Sequence, residues 1–337
     1  MEQTTNNIEE FYSQPFFFSY SSLKLLLWCP QAFKEKYIDK KSVEKIEKHL
    51  VNGKLIHCLL LDDSAFRNNF ILSPTTVPTG NTKLVVDRVF RHFTELSASD
   101  DIRGQLQEFD GAILDILLDM DLHQNLKTDV QRVAKIITDD TVAYFNFLKD
   151  KGNKTIVDVE TLTYCRSIVD SIKENNEILE LMGLDSASQF DSDITVDNEK
   201  ELRITLATFN FGIKGILDNI VIDKTNNIIR INDLKCTSKP LTEFTDSVEF
   251  YSYWLQAVIY HSLIIVHYRD LISSGYKVEF RFIVVDSFGQ IYPFLVTPST
   301  LSKWSKQFKE WLIKADYHYT KREYHLPYEF LTKQVVL

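Results

Sequence analysis

Cysteine is scarce in this chain, which has only Cys29, Cys58, Cys165 and Cys236 among its 337 residues. The four are far apart, and no two form a Cys-x-x-Cys pair, so neither a disulfide framework nor a zinc knuckle is predicted. Such spacing is typical of free thiols in a reducing compartment. We therefore expect a cytoplasmic protein.

The sequence also lacks long hydrophobic runs and an excess of positive charge. No apolar stretch approaches the ~20 residues of a membrane span, and the start lacks the basic segment of a signal peptide. We therefore expect a soluble protein with no membrane partner. The formal net charge of −9 argues against a protein that coats nucleic acid over its whole surface. It permits a local basic track, and residues 33–54 carry seven lysines against four acids.

The spacing of apolar residues is helical in the first half of the chain and largely strand-like in the second. Helices are predicted at about 16–38, 42–62, 248–274 and 299–315, with four or so more between 83 and 180. Short β-branched segments bounded by turn residues predict strands at 189–196, 201–210, 212–223, 227–237, 277–286 and 290–296. The predicted class is α/β, with a central mixed sheet flanked by helices and a helical N-terminal and middle region.

This pattern predicts a division of the chain into three parts. Residues 1–82 are predicted to contribute N-terminal helices to the core. Residues 83–180 are predicted to form a helical insertion, and 181–337 the core itself.

Two of the predicted strands place acidic side chains opposite each other. If Lys224–Asn227 is a four-residue loop, residues whose numbers sum to 451 are paired, and Asp218 then faces Asp233. Directly opposed Cβ atoms lie about 5 Å apart, close enough for two carboxylates to share a cation. Lys235 is two residues beyond Asp233 and therefore points to the same face.

That face is otherwise apolar, since it also carries Ile216, Ile220, Ile222, Ile229 and Ile231. Burying unpaired like charges costs several kcal/mol each, so the acids need a partner. One interpretation is a divalent cation that neutralises both acids. The alternative is a buried ion pair between Lys235 and one aspartate, with the second acid solvated.

The pattern resembles a known family of nucleases. Asp218 followed by Asp233-Leu-Lys235 is similar to the D…(D/E)-x-K signature of the PD-(D/E)XK nuclease superfamily, and Asp-Leu-Lys-Cys-Thr looks like the corresponding strand of its RecB-like and phage exonuclease branch. Further motifs of that branch follow the same order: Ser19-Tyr-Ser-Ser-Leu with Cys29-Pro-x-x-Phe-x-x-x-Tyr37, Gly53-x-x-x-His57, and Gln256-x-x-x-Tyr260.

The resemblance implies a restriction-endonuclease-like core and a Mg²⁺- or Mn²⁺-dependent exonuclease. Relatives of the RecE and lambda type resect double-stranded DNA ends for recombination or repair, so a phage origin and the host cytoplasm are implied as well. Candidate partners are DNA ends, a single-strand annealing protein and further copies of the chain. Two alternatives stay open: an endonuclease of the same fold, and a non-catalytic DNA- or protein-binding module.

The same resemblance implies a metal site. Its ligands would be Asp218, Asp233, the main-chain carbonyl of Leu234, and His57 through a neutral ring nitrogen. An ion held there would polarise the scissile phosphate and activate water. For His57, a satisfied core histidine is the competing interpretation.

Three further residues receive catalytic roles from the resemblance. Lys235 would orient the water and stabilise developing negative charge, Gln256 would lie near that lysine, and Tyr260 would contact the DNA backbone. Core packing with one buried amide is the alternative for Gln256 and Tyr260, which are one helical turn apart.

Two departures from the family pattern bear on the cofactors. Relatives carry a glutamate ligand on the preceding strand, where Gln189 is the predicted match, with Asp191 or Asp193 as substitutes; one or two ions are therefore both possible. Some relatives bind an iron–sulfur cluster through late cysteines, but no cysteine follows Cys236, so no cluster is expected.

An aromatic series near the C-terminus has two interpretations. Trp304, Phe308, Trp311 and Ala315 recur at helical spacing among lysines. They predict an amphipathic helix, or else a surface on which single-stranded DNA stacks. The lysines of residues 34–54 are the predicted contacts to duplex phosphates.

Overall fold

The computed structural model describes residues 9–41, 48–96 and 104–335. The chain forms two compact units: unit 1 contains Met1–Asp62 and Arg166–Leu337, and unit 2 contains Asp63–Cys165. The three-part division, with boundaries at residues 82 and 180, remains a prediction.

Unit 1 is built on a mixed six-stranded sheet flanked by helices, as the sequence predicts. The described strands are β1 (Phe17–Phe18), β2 (Phe70–Leu72), β3 (Thr155–Val157), β4 (Ile194–Thr205), β5 (Gly212–Asp223), β6 (Ile228–Cys236), β7 (Lys277–Val285) and β8 (Ile291–Val296). In the large sheet the order is β1-β5-β6-β7-β8, with β4 also paired to β5; β2 and β3 form a separate parallel pair in unit 2.

The helices are mostly short. They are α1 (Tyr20–Trp28), α2 (Pro30–Phe33), α3 (Lys48–Leu61), α4 (Phe66–Asn69), α5 (Gly80–Leu96), α6 (Asp110–Asp119), α7 (Asp129–Ala134), α8 (Asp139–Lys151), α9 (Val159–Lys173), α10 (Asn176–Met182), α11 (Ser186–Phe190), α12 (Phe244–Phe250), α13 (Tyr253–His267), α14 (Arg269–Ser273), α15 (Pro298–Lys321) and α16 (Tyr328–Leu331). A π-helical turn, Lys34–Ile38, continues α2. None of the described helices combines the length and the apolar character of a bilayer-spanning segment.

Two predicted elements are wrong in detail. The single helix predicted at 248–274 is three helices, because the chain turns at Ser252, whose φ is +57°, and again at Tyr268. The strand predicted at 189–196 begins only at Ile194, since residues 186–190 form α11. The strand β4 then runs without interruption to Thr205, through the polar segment that the sequence suggested was a turn.

The strand β5 has two partners on one edge and one on the other. β4 pairs with β5 from Gly212 to Asp223, except at Glu199 and Asp218. The opposite edge is shared: β1 pairs with Gly212 and Ile213, and β6 pairs with residues 219–223. Among the described strands, residues 214–218 therefore have no ladder partner on that edge. We call this opening between β5 and β6 the fork.

The helix α13 packs across the same part of the sheet. Its residues Trp254–Tyr260 are all buried and belong with the isoleucines of β5 and β6 to the main core of unit 1. Gly215 allows the close approach, because a Cβ there would lie 2.5 Å from the Tyr260 ring. A glycine on β5 thus seats the tyrosine beside the fork.

Unit 2 has its own apolar core. Val85, Val89, Ile113 and Phe145, from α5, α6 and α8, are fully buried there. Compact burial of this kind fits a separately packed helical body.

Candidate active site

The β5–β6 hairpin has the predicted register. Asn219 pairs with Asn232 and Asp223 with Ile228, so paired residue numbers sum to 451, as predicted. The ladder stops one residue before Asp218 and Asp233, which therefore lie at the fork. Most of the predicted apolar face is buried, but Ile216 is half exposed, because it lies beyond the last rung of the ladder.

Asp218 is held against β6 by its side chain. Its Oδ2 accepts a hydrogen bond of 2.7 Å from the main-chain N–H of Leu234, and its Oδ1 lies 3.7 Å from Nδ1 of His57. The other ring nitrogen of His57, Nε2, is 3.1 Å from the carbonyl oxygen of Leu234. The structure thus brings together His57, Asp218 and the Leu234 carbonyl, three of the four predicted ligands.

A glutamate that the sequence analysis did not single out completes this group. Glu199 on β4 lies between Asn198 and Lys200, which pair with Asn219 and Leu217 on either side of Asp218, and its Oε1 lies 3.3 Å from Nδ1 of His57. Each of His57, Glu199 and Asp218 offers one ligand atom, and these three atoms lie within 4.8 Å of one another. The three residues can therefore hold a metal ion. Gln189 is not at this position: it lies on α11 and donates to the carbonyl of Leu184.

Backbone conformation explains why Glu199 was missed. Its φ is +49°, in the left-handed region that non-glycine residues seldom adopt. The run Asp197-Asn-Glu-Lys200 therefore looks like a turn in sequence, although β4 continues through it. Residues held in such conformations cost about 1–3 kcal/mol and cluster at functional sites.

The second aspartate is paired with the lysine. Asp233 is fully buried, and its Oδ2 forms an ion pair with Nζ of Lys235. Burial, together with the nearby Asp218 carboxylate, raises the pKa of Asp233, although Lys235 opposes that rise. The ion pair agrees with the first part of the alternative interpretation, in which Lys235 pairs with one aspartate. The second part requires a solvated second acid, but Asp218 is only 6% exposed.

These residues fit a divalent cation. The oxygen Oδ1 of Asp233 is buried and has no hydrogen-bond partner among the described residues. Three carboxylates, from Glu199, Asp218 and Asp233, face one ammonium, which leaves two negative charges when His57 is neutral. Carboxylates, one carbonyl and one imidazole suit Mg²⁺ or Mn²⁺ better than a structural zinc.

His57 responds to the same carboxylates. Burial alone would lower the pKa of His57, but the Asp218 and Glu199 carboxylates outweigh it and raise the pKa to about 9. Its side chain is 24% exposed, and that of Glu199 is 35% exposed, whereas Asp233 is fully buried. The group therefore opens to solvent on the side of His57 and Glu199.

Gln256 and Tyr260 form a buried pair on α13. Nε2 of Gln256 donates a hydrogen bond of 2.9 Å to the Tyr260 hydroxyl. Burial raises the pKa of Tyr260 well above its usual value, and the Asp218 and Asp233 carboxylates raise it further. The aromatic ring closest to the lysine belongs instead to Tyr253, whose centroid lies 5.1 Å from Nζ of Lys235.

The next rung of the same three strands carries amides. Asn198, Asn219 and Asn232 lie directly opposite one another on β4, β5 and β6. Nδ2 of Asn219 donates to Oδ1 of Asn198 (2.9 Å) and to the carbonyl of Met182 (3.0 Å); Nδ2 of Asn232 donates to Oδ1 of Asn219 (2.7 Å) and to the carbonyl of Leu181 (2.9 Å). This amide ladder fixes the spacing of the three strands that carry the acids.

The other predicted DNA contacts have mixed outcomes. Trp304, Phe308 and Ala315 are buried in the core, and Trp311 packs edge-on against Trp254, so this helix is the amphipathic one and not a stacking surface. Several lysines of 34–54 pair with carboxylates: Lys34 with Asp39, Lys40 with Glu10 and Lys41 with Asp39. Lys45, the side chain of Lys48 and the start of the helix predicted at 42–62 lie outside the described residues.

The comparisons with known proteins identify a structural likeness but no family. No protein-family model matches the chain, and no curated protein matches it. Among solved structures, the chain is similar to the crystal structure of a "Putative exonuclease" from Eubacterium rectale. The two are 13% identical with a TM-score of 0.43, over 91% of this chain and 80% of that one.

Proposed function

We propose that this chain is a Mg²⁺- or Mn²⁺-dependent deoxyribonuclease that degrades double-stranded DNA from its ends. The observation that carries the proposal is the convergence of three carboxylates, His57 and Lys235 at the fork, with a buried carboxylate oxygen lacking a hydrogen-bond partner among the described residues. Such a cluster is costly in the absence of a cation and a phosphate. The motif resemblance supports DNA as the substrate.

Glu199, Asp218, His57 and the Leu234 carbonyl would hold the cation, with Asp233 beside them. When bound, the cation supplies Lewis-acid polarisation of the scissile phosphate and a lowered pKa for attacking water. The protein's own contribution begins with β5 and β6, where the hydrogen bond of 2.7 Å from the Leu234 N–H to Oδ2 of Asp218 holds Asp218 beside Leu234.

Lys235 acts as a fixed donor of positive charge. Burial alone would lower the pKa of Lys235, but the Asp233 and Asp218 carboxylates raise it, so the ammonium stays protonated at neutral pH. Asp233 holds the ammonium in place, and the ring of Tyr253 lies over it. A donor held in this way stabilises negative charge that develops on a phosphate oxygen.

The test is incubation of end-labelled linear duplex DNA with and without Mg²⁺, using the wild type and Lys235→Ala. We expect cleavage that requires Mg²⁺ and falls about 10²–10³-fold in the variant. Lys239→Ala is the matched control, because Lys239 is half exposed and its Nζ lies 3.6 Å from Glu243 on the surface. Equal cleavage by wild type and Lys235→Ala would remove the site assignment.

A second substrate separates the two modes of cutting. A covalently closed circular duplex offers no ends, so an exonuclease leaves it intact while the linear form disappears. Nicking or linearisation of the circle under the same conditions would identify the endonuclease instead.

A further inference from the structure

Three aromatic side chains extend from the catalytic lysine to the protein surface. Tyr253 lies over Lys235, Tyr251 stacks on Tyr253 with ring centroids 5.4 Å apart, and Phe250 packs edge-on against Tyr251 at 4.9 Å. We call Phe250, Tyr251 and Tyr253 the aromatic platform. It begins at the site proposed for phosphate chemistry and ends in solvent.

The outer two members are unusually exposed. Phe250 is 78% exposed and Tyr251 is 41% exposed, whereas Phe244, at the start of the helix that ends at Phe250, is buried. A single exposed aromatic residue needs no explanation. Here two consecutive exposed rings contact each other, Phe250 edge-on against Tyr251, and Tyr251 stacks on the ring beside Lys235, so together they form a defined surface.

The backbone beneath the platform is held in place. The hydroxyl of Tyr20 and Nζ of Lys24, both on α1, donate to the same carbonyl oxygen, that of Tyr251, the latter over 2.8 Å. Ser252 then adopts a left-handed φ of +57°, which allows the rings on either side of it to stack. A strained, doubly anchored turn that leaves its rings in solvent is typical of a prepared binding surface.

A cation accompanies the rings. Nζ of Lys24 lies 5.7 Å from the Tyr251 ring and 5.9 Å from the Tyr20 ring. Aromatic faces beside an ammonium are the combination that binds a nucleotide, because the base stacks on the ring and the phosphate meets the positive charge.

We propose that Phe250 and Tyr251 form a stacking site for an unpaired nucleobase at the terminus of the DNA, next to the strand whose phosphate reaches Lys235. This inference rests on the proposed nuclease function and specifies how that site would engage an end. The platform would hold a frayed base out of the duplex, so that the backbone beside it enters the fork.

The direct test is the fluorescence of 2-aminopurine placed at the end of a duplex, titrated with protein in Ca²⁺ to limit cleavage. Stacking quenches this base. We expect the wild type to quench it, and Phe250→Ala to bind about tenfold more weakly with little quenching, as stacking contributes about 1.4 kcal/mol here. Phe250→Trp should retain both effects, because it keeps an aromatic face.

The matched control is Phe190→Ala, which removes a 91% exposed phenylalanine from α11 in the same unit. It should bind and quench as the wild type does. Equal weakening by Phe190→Ala and Phe250→Ala, or unchanged quenching in Phe250→Ala, would overturn the platform. A change of oligomeric state in Phe250→Ala, with DNA binding intact, would show instead that the surface contacts a second copy of the chain.

Cleavage assays keep this inference separate from the proposed function. If the wild type quenches the fluorescence of the terminal base but does not cut DNA, the platform stands and the proposed nuclease function is excluded. If the wild type and Phe250→Ala cut DNA at the same rate and bind ends with equal affinity, the proposed nuclease function stands and the platform is excluded.

Discussion

Two adjacent positions on β4, β5 and β6 differ in the hydrogen bonds that their side chains can make. One position holds three amides, Asn198, Asn219 and Asn232, which bond to one another in a ladder and leave Oδ1 of Asn232 without a partner among the described residues. The other holds Glu199, Asp218 and Asp233, which only accept, and there a buried oxygen of Asp233 has no hydrogen-bond partner among the described residues. On β5 and β6, successive residues point to opposite faces of the strand, so the amides and the two aspartates use the same backbone.

The difference follows from the chemistry of the groups. An amide both donates and accepts, so three in a row can bond to each other and to neighbouring carbonyls. A carboxylate only accepts, and neighbouring carboxylates repel. The amides therefore stabilise the fold, whereas the carboxylates still require a positive charge to neutralise them.

The largest expected effect is on catalysis. Asp218→Asn should reduce DNA cleavage about a thousandfold, equivalent to ~4 kcal/mol, because a cation ligand is lost. In EDTA above pH 9, where His57 is neutral, the variant's melting temperature should stay equal or rise, since one of the repelling charges is removed and an amide oxygen can still accept from Leu234. Activity and thermal melting, measured on one preparation, check both.

The matched control for that variant is Asp223→Asn. Asp223 is a buried acid on the same strand, but Asn226 and Arg230 satisfy it. It should lose stability and keep most of its activity. The comparison between the two faces is wrong if both aspartate variants lose stability equally.

The next effect in size concerns the amide rung. Asn219→Ala should lower the free energy of unfolding by about 3 kcal/mol, because its buried partners are left without hydrogen bonds. Urea unfolding in EDTA measures this loss. Asn198→Ala should cost less, since Asn198 is partly exposed. A smaller loss for Asn219→Ala than for Asn198→Ala would contradict the ladder's role.

The group of three carboxylates should be stabilised by metal. Mg²⁺ at a hundred times its dissociation constant should add about 2.7 kcal/mol to the stability of the wild type. Glu199→Gln should reduce that gain at a given Mg²⁺ concentration, while Asp197→Asn, two residues earlier on β4 and paired with Lys200, should not. Calorimetric titration with Mg²⁺ gives the same comparison without DNA, and identical curves for the two variants would exclude Glu199 as a ligand.

The smallest effect is a pH dependence in the metal-free protein. Because the folded-state pKa of His57 is raised to about 9, above its ordinary 6.5, its contribution is fully present below pH 6.5 and is lost as pH rises through 9. In EDTA, wild type should lose more stability than His57→Gln between pH 7 and 10. An NMR titration of His57 near its ordinary pKa would show that the carboxylates do not act as described.

The sequence predicts the β5–β6 hairpin well because its signals are local. The loop Lys224–Asn227 and alternating isoleucines define the register, and the register places Asp218 opposite Asp233. Glu199 could not be found this way. Its left-handed backbone interrupts the expected alternation, and only its pairing with β5 brings it to the site.

The helix over the site shows the same limit. Apolar spacing predicted helix through 248–274, but the turn at Ser252 depends on two donors from α1, more than 220 residues away in sequence. The platform is a product of that distant contact. Local periodicity contains no information about it.

The fork has a consequence for how this protein folds during its synthesis. One of its sides is closed by Phe17 and Phe18, which pair in parallel with Gly212 and Ile213 almost two hundred residues later. The early segment must therefore wait during synthesis until β5 has left the ribosome, and such distant closures are slow. A nascent chain that has not yet made β6 holds Asp218 without Asp233 or Lys235, so the candidate site can be assembled only late in translation.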